Sequence, residues 1–266
     1  MRKSPSTAPV QYVYRTSDGV ELAGVLTLPA GKDPRNLPLV VVPSNGFSFG
    51  LTDFDWFAQY LAHRGYAVLE AGRRSTENFG ELTGSDEFTA WVQNTEKDIA
   101  GGVDDLVSKG IADPKRVCIA GGGGVDGYAA LSTLVAQKGK YACAVAFSPI
   151  TDMVAVLTNV HFASALAYNN IRSNFVRNHD QFSDAVLAKY SPAKHGDEMT
   201  APVLLLDSDK HNWNNHTLLM ENDLKSAKKP VETVLLKDED GSLSRAESRV
   251  ALLNAVDKFL AAHIAN

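Results

Sequence analysis

Residues 116–131 read RVCIAGGGGVDGYAAL. Val117 to Ala120 is a short, unbroken apolar run of the kind covered on both faces of a sheet. Four glycines follow, Gly121 to Gly124, and behind them a helical pattern begins near Asp126. A strand that turns this sharply into a helix is the repeating joint of an α/β fold. Its glycines carry no side chain that could attack, donate or accept a proton. Asp126 has two readings. As an N-cap it would accept backbone N–H groups and meet the helix dipole favourably; as a displaced acid nucleophile or general base it would act beside the turn. The cap is the simpler of the two.

The flanking sequence repeats the same alternation. Val10 to Arg15 and Val20 to Leu28 bracket a Ser17-Asp18-Gly19 turn, which predicts an antiparallel hairpin. Leu37 to Val42 is a buried strand that ends in the loop Pro43-Ser44-Asn45-Gly46-Phe47. From Asp53, the residues Phe54, Phe57, Ala58, Leu61 and Ala62 share a helical face, and Gly65 supplies a stop. Further strands are predicted at Tyr66–Glu70, Ala142–Phe147, Val203–Leu206 and Val231–Leu236. Helices are predicted at about Glu96–Lys109, Asn215–Ala227 and Arg245–Ala262. This pattern implies a doubly wound, mainly parallel sheet with an N-terminal antiparallel hairpin. Residues 151–194 lack a strand signal and read as a small helical cap inserted in a single domain spanning 1–266.

The chain has 266 residues, 44% of them hydrophobic and 21% charged, with a net charge of -5. Its 26 Lys and Arg are scattered among 31 acids, which excludes a basic nucleic-acid footprint. Cys118 and Cys143 sit in apolar runs and read as buried hydrophobes, not a disulfide framework. No run is long and apolar enough for a membrane span, and no export signal is visible, so a cytoplasmic protein or a processed exported one is expected. Asp207, Asp209, His211 and His216 have ligand-type side chains but no regular metal spacing. Neither a metal nor another cofactor is expected.

With this order in place, the chain resembles the C-terminal catalytic domain of the prolyl oligopeptidase family of serine peptidases, an α/β-hydrolase fold. The matching residues are Asp18-Gly19, Leu28-Pro29, Asp55-Trp56, Gln59 to Ala62, Arg64 to Val68, Arg73, Ser75-Thr76 and Asp98. Gly110 to Val117, Gly127 to Leu131, Ser191-Pro192, Ala201 to Leu205, Ser244-Arg245, Glu247 and Phe259-Leu260 continue the match in order. The resemblance implies a sheet of hydrolase type and a nucleophile elbow at the glycine turn. The family normally carries a propeller ahead of this domain, so the resemblance implies a standalone relative or an excised piece.

The same resemblance locates the roles that a serine hydrolase needs: nucleophile, imidazole, carboxylate and oxyanion donors. The family elbow G-x-S-x-G-G-Y puts the serine on Gly123 when counted forward from Arg116 and on Gly124 when counted back from Tyr128, because this turn holds one residue more. The carboxylate position, in an H-G-x-x-D loop, falls on His211. The imidazole position, in a G-E-x-H-G loop, falls on Gly241, and the oxyanion loop has become Pro43-Ser44-Asn45-Gly46. All of these positions differ together.

The expectation is therefore a hydrolase-fold pseudoenzyme with a degenerate catalytic triad, whose cleft binds a small molecule or peptide. Ser44, Asn45, Gly123, Gly124, Val125 and Ser208 are the candidate ligand-binding positions. His211, Asp126, Glu239 and Asp240 are candidate proton movers for non-hydrolytic chemistry such as cyclisation, isomerisation or elimination. Two alternatives stay open. One is a noncatalytic interaction or regulatory protein; the other is a peptidase or esterase with a relocated nucleophile, Ser44 or Ser208 acting with His211. A homo-oligomer is also compatible with the sequence.

Overall fold

Leu39 and Val41 point to one face of their strand and Val40 and Val42 to the other, and all four are buried. Such a strand needs a covering layer on both sides. The computed structural model describes residues 7–43, 55–74, 84–158, 181–210 and 214–265, and it shows those two layers.

The strands are β1 (Val10–Arg15), β2 (Glu21–Thr27), β3 (Leu37–Pro43), β4 (Ala67–Ala71), β5 (Ala112–Gly122), β6 (Cys143–Phe147), β7 (Val203–Ser208) and β8 (Val231–Leu236). Together they form one sheet in the order β1-β2-β4-β3-β5-β6-β7-β8. β1, β2 and β4 pair antiparallel and every later pairing is parallel, so the expected hairpin and the α/β-hydrolase sheet are both present.

The helices are α1 (Trp56–Arg64), α2 (Ser85–Ser108), α3 (Gly124–Ala136), α4 (Met153–Thr158), α5 (Asp184–Lys189), α6 (Asn214–Ser226) and α7 (Ala246–His263). Ile99, Val103 and Leu106 of α2, Ala130, Leu131 and Leu134 of α3, and Met220 and Leu224 of α6 cover one face of the sheet. Phe57 and Leu61 of α1 and Val256, Phe259 and Leu260 of α7 cover the other. Each such side chain contributes about 1.5–3 kcal/mol on leaving water. A third apolar cluster, with Phe88, Trp91, Tyr128, Ile150, Met153, Phe182 and Leu187, joins α2 and α3 to the cap residues.

Several predicted boundaries change. α1 starts at Trp56, because the Asp55 carboxylate caps the N–H groups of Phe57 and Ala58 at 2.7 and 2.9 Å, and it ends at Gly65, which is left-handed as expected. α2 starts at Ser85, eleven residues before the predicted Glu96. The apolar residues of its first turns face the cap cluster, so a period against the sheet alone does not reveal them. β5 runs on to Gly122, and α3 starts at Gly124 with Gly123 as its N-cap. Asp126 is therefore not the cap; it lies in the first turn, and no side chain caps this helix. The described cap residues form α4, α5 and two single-turn 3-10 helices at Pro192–Lys194 and Gly196–Glu198.

Both cysteines are free and buried, on adjacent strands in register with each other. No helix among the described residues is long and apolar enough to cross a membrane.

Candidate functional site

The parallel strands put Gly122, Phe147, Ser208 and Leu236 at the C-terminal edge of the sheet, where open α/β folds bind ligands. At the centre is Gly123, with φ 80° and ψ 171°, a conformation almost confined to glycine. Its N–H donates to the Phe147 carbonyl (2.9 Å), and its own carbonyl accepts from Gly127 (2.8 Å), the first bond of α3. The Gly124 carbonyl accepts from Ile150 (2.9 Å), which ties the loop after β6 to the turn. Gly123 thus occupies the strand-to-helix corner at which a hydrolase displays its nucleophile.

The first turn of α3 has no earlier carbonyls of its own helix to pair with, so its N–H groups are left without intrahelical partners at this edge of the sheet. Gly124 is partly exposed there; the Val125 side chain packs instead against the cap cluster. Asp126 follows, largely buried, with its carboxylate 4.0 Å from the Arg73 guanidinium. Burial pushes its pKa up to about 7, and Arg73 offsets only part of that. A carboxyl that is close to half-protonated at neutral pH can give or take a proton. The neighbouring Arg74 is held rigidly, because its guanidinium bonds Asp98 (2.7 Å) and Asp18 (2.7 Å). Nothing in the sequence signals the Arg73–Asp126 pair, since Arg73 follows β4 and Asp126 lies in the first turn of α3.

The two remaining edge loops are clasped together. The Asp209 carboxylate accepts the Glu239 N–H (3.1 Å), and the Lys210 N–H donates to the Glu239 carbonyl (3.0 Å). The Glu239 side chain is buried and takes the N–H groups of Gly241 (3.1 Å) and Leu243 (2.7 Å). Its carboxylate organises this loop and does not reach into the cleft. Gly241, in the same loop, has φ 93°. The Asp240 carboxyl is exposed and held below the usual carboxylate range by the Ser242 hydroxyl and backbone N–H. Ser208 is fully buried at the end of β7. Ser44, Asn45 and His211 lie outside the described residues.

Two further buried groups involve Asp207 and His216, which the sequence marks only as ligand-type side chains. The Ser148 hydroxyl donates to Asp207 at 2.9 Å, and Ser148 itself has φ 44°. His216 accepts the N–H groups of Thr151 and Asp152 on Nδ1, each at 3.3 Å. Burial holds its pKa down to about 4, so this imidazole is neutral and serves the framework of the cap. Among the described residues no group of three or more His, Cys, Asp or Glu could hold a metal ion.

Residues 52–266 match the family described as "Prolyl oligopeptidase family". Dipeptidyl aminopeptidase BIII of Pseudoxanthomonas mexicana is 26% identical over 266 residues, which cover 95% of this chain and 38% of that protein. The lasso peptide isopeptidase AtxE2 of Asticcacaulis excentricus is 27% identical over 263 residues, 92% of this chain and 36% of its own length. The chain thus spans less than two-fifths of these relatives. A puromycin-hydrolyzing peptidase of Mycobacterium tuberculosis superposes with a TM-score of 0.77 at 19% identity, over 99% of this chain and 42% of that one, a likeness of fold. The chain belongs to the prolyl oligopeptidase family.

Proposed function

We propose that this domain binds a peptide or small molecule in the cleft above Gly123 and Gly124 and does not hydrolyse it through a Ser-Asp-His triad. The observation that carries this reading is the backbone of Gly123, where the corner meant for a nucleophile has no side chain and a conformation that disfavours one. Gly241, in the loop where the family keeps its imidazole, supports it. Removing a triad as a unit leaves about 10³–10⁴ of rate over water, from binding and oxyanion contacts. In place of a triad the cleft offers the N–H groups of the first turn of α3 and the Arg73–Asp126 pair. These suit a ligand with a carbonyl or carboxylate, and Asp126 suits chemistry that needs only positioning and one proton.

The test is a pair of measurements. The protein is treated with a fluorophosphonate probe and assayed with dipeptidyl chromogenic amides; no labelling and no turnover are expected. Labelling abolished by Ser44→Ala or Ser208→Ala would overturn the reading in favour of a relocated nucleophile, the activity suggested by the peptidase names of the relatives. If neither peptides nor small carboxylates perturb the amide signals of Gly123 to Asp126, the domain is instead a noncatalytic scaffold.

A further inference from the structure

At the far end of α3 from the elbow, Ser132, Val135 and Ala136 form one wall of a cavity of about 110 Å³. Its other walls are Glu96 of α2, Lys189 and Tyr190 at the end of α5, and Pro192 and His195 of the following turn. Along the helix axis, Val135 stands about 16 Å from Gly124, at a rise of about 1.5 Å per residue. The cavity is therefore separate from the cleft.

We propose that this cavity is a binding site for a small zwitterionic amino acid, with its ammonium group on Glu96 and its carboxylate at Lys189.

Glu96 is partly buried in the cavity wall, and among the described residues no hydrogen bond or ion pair reaches its carboxyl. A carboxyl that has lost part of its hydration without gaining a partner is open to a cation. Tyr128 and Tyr141, the titratable groups that feel its charge, are themselves buried and neutral. Burial pushes the Glu96 pKa up to about 8, so the carboxyl is mainly protonated at neutral pH. An ammonium group seated against it would supply the missing partner, and the carboxyl would then release its proton.

Lys189 is placed oppositely. It is exposed, makes no ion pair among the described residues, and its Nζ lies over the Tyr190 ring at 5.2 Å from the centroid. A carboxylate at the mouth would meet that ammonium. His195 has both ring nitrogens engaged, by Glu198 (2.8 Å) and the Ala188 carbonyl (3.3 Å), and Ser132 donates to Ala129 (3.3 Å). Neither competes for the charged ends. Val135, Ala136 and Pro192 leave an apolar middle. An enclosed apolar cavity of about 150 Å³ takes a six-carbon ring, so about 110 Å³ is on the scale of glycine or alanine.

The experiment is an amide NMR titration of the full chain with L-alanine, ethylamine and propionate. The two comparison ligands are alanine without its carboxylate and without its ammonium group. Alanine should shift Val135, Ala136 and Tyr190 saturably, with a Kd at least tenfold below that of either comparison ligand. Glu96→Gln, which copies the shape of the protonated acid, should raise the alanine Kd tenfold or more, and Lys189→Ala should raise it at least threefold. Calorimetry at pH 7 in buffers of different ionisation heat should detect proton release in the parent and none in Glu96→Gln. The proposal is overturned if alanine has no saturable effect, if Glu96→Gln leaves its Kd unchanged, or if ethylamine binds as tightly as alanine. Unchanged melting temperatures for both variants separate these results from misfolding, and none of them depends on what happens at Gly123.

Discussion

Gly121 lies against the backbone carbonyl oxygen of Asp126, across the elbow, at a separation that leaves no room for a Cβ atom. Both partners are backbone, in the last residues of β5 and the first turn of α3, so neither can rotate away. Gly121→Ala should therefore force strand and helix apart and cost about 2–4 kcal/mol. Urea unfolding would measure this as a lower midpoint at unchanged slope; a loss below 0.5 kcal/mol would show that the joint yields.

Gly123→Ser restores a hydroxyl at the corner but should not restore hydrolysis. The backbone at φ 80° and ψ 171° strains a non-glycine residue by about 1–3 kcal/mol, and on the proposed reading no imidazole stands beside it. We expect a lower melting temperature and no reaction with a fluorophosphonate probe. Covalent labelling of the new serine would show that a base is within reach.

Asp126 should make the protein less stable as pH rises. Its carboxyl titrates near 3.8 when unfolded and at about 7 when folded, so the folded state holds the proton more tightly. Stability from this group is full below pH 3.8 and is lost through pH 7, by up to about 4 kcal/mol. In Asp126→Asn the urea midpoint should not fall over that interval. An identical pH slope in parent and variant would refute the assignment.

His216 contributes the opposite slope at lower pH. Its imidazole titrates near 6.5 unfolded and at about 4 folded, because burial opposes the charged form more than Asp152 favours it. Stability is full above pH 6.5 and falls as the pH drops towards 4, by up to about 3 kcal/mol. His216→Asn keeps an acceptor for the N–H groups of Thr151 and Asp152 and should flatten this acid limb. Equal acid midpoints for parent and variant would assign the limb to other groups.

The sheet was legible because buried parallel strands announce themselves: runs such as Leu37–Pro43 and Val203–Leu206 are apolar without alternation. The hairpin and the stop at Gly65 were legible through turn chemistry. The elbow reads as a strand-to-helix joint, but its helix starts two residues before Asp126, at Gly124. Asp126 has the composition of an N-cap, whereas the cap position went to Gly123 through its backbone conformation, which a residue name does not encode. The first eleven residues of α2 were missed for a related reason. Polar residues such as Asp86, Glu87, Gln93 and Asn94 dilute a pattern whose apolar members, Phe88, Trp91 and Val92, answer to the cap. Glu239 reads as a proton mover by type, and it turns out to be a loop anchor because its hydrogen-bond partners are two backbone amides. Arg73 reads only as a family match and Glu96 only as a helix start, since what distinguishes each is the company it keeps across the fold.

α2 runs unbroken from Ser85 to Ser108, so it is a rod about 36 Å long. Its first half is gripped by the cap cluster through Phe88 and Trp91, and its second half is bolted to the sheet through Ile99, Val103 and Leu106. Cap and sheet thus share one mechanical axis. Glu96 sits at the middle of this rod, where the grip of the cap gives way to that of the sheet.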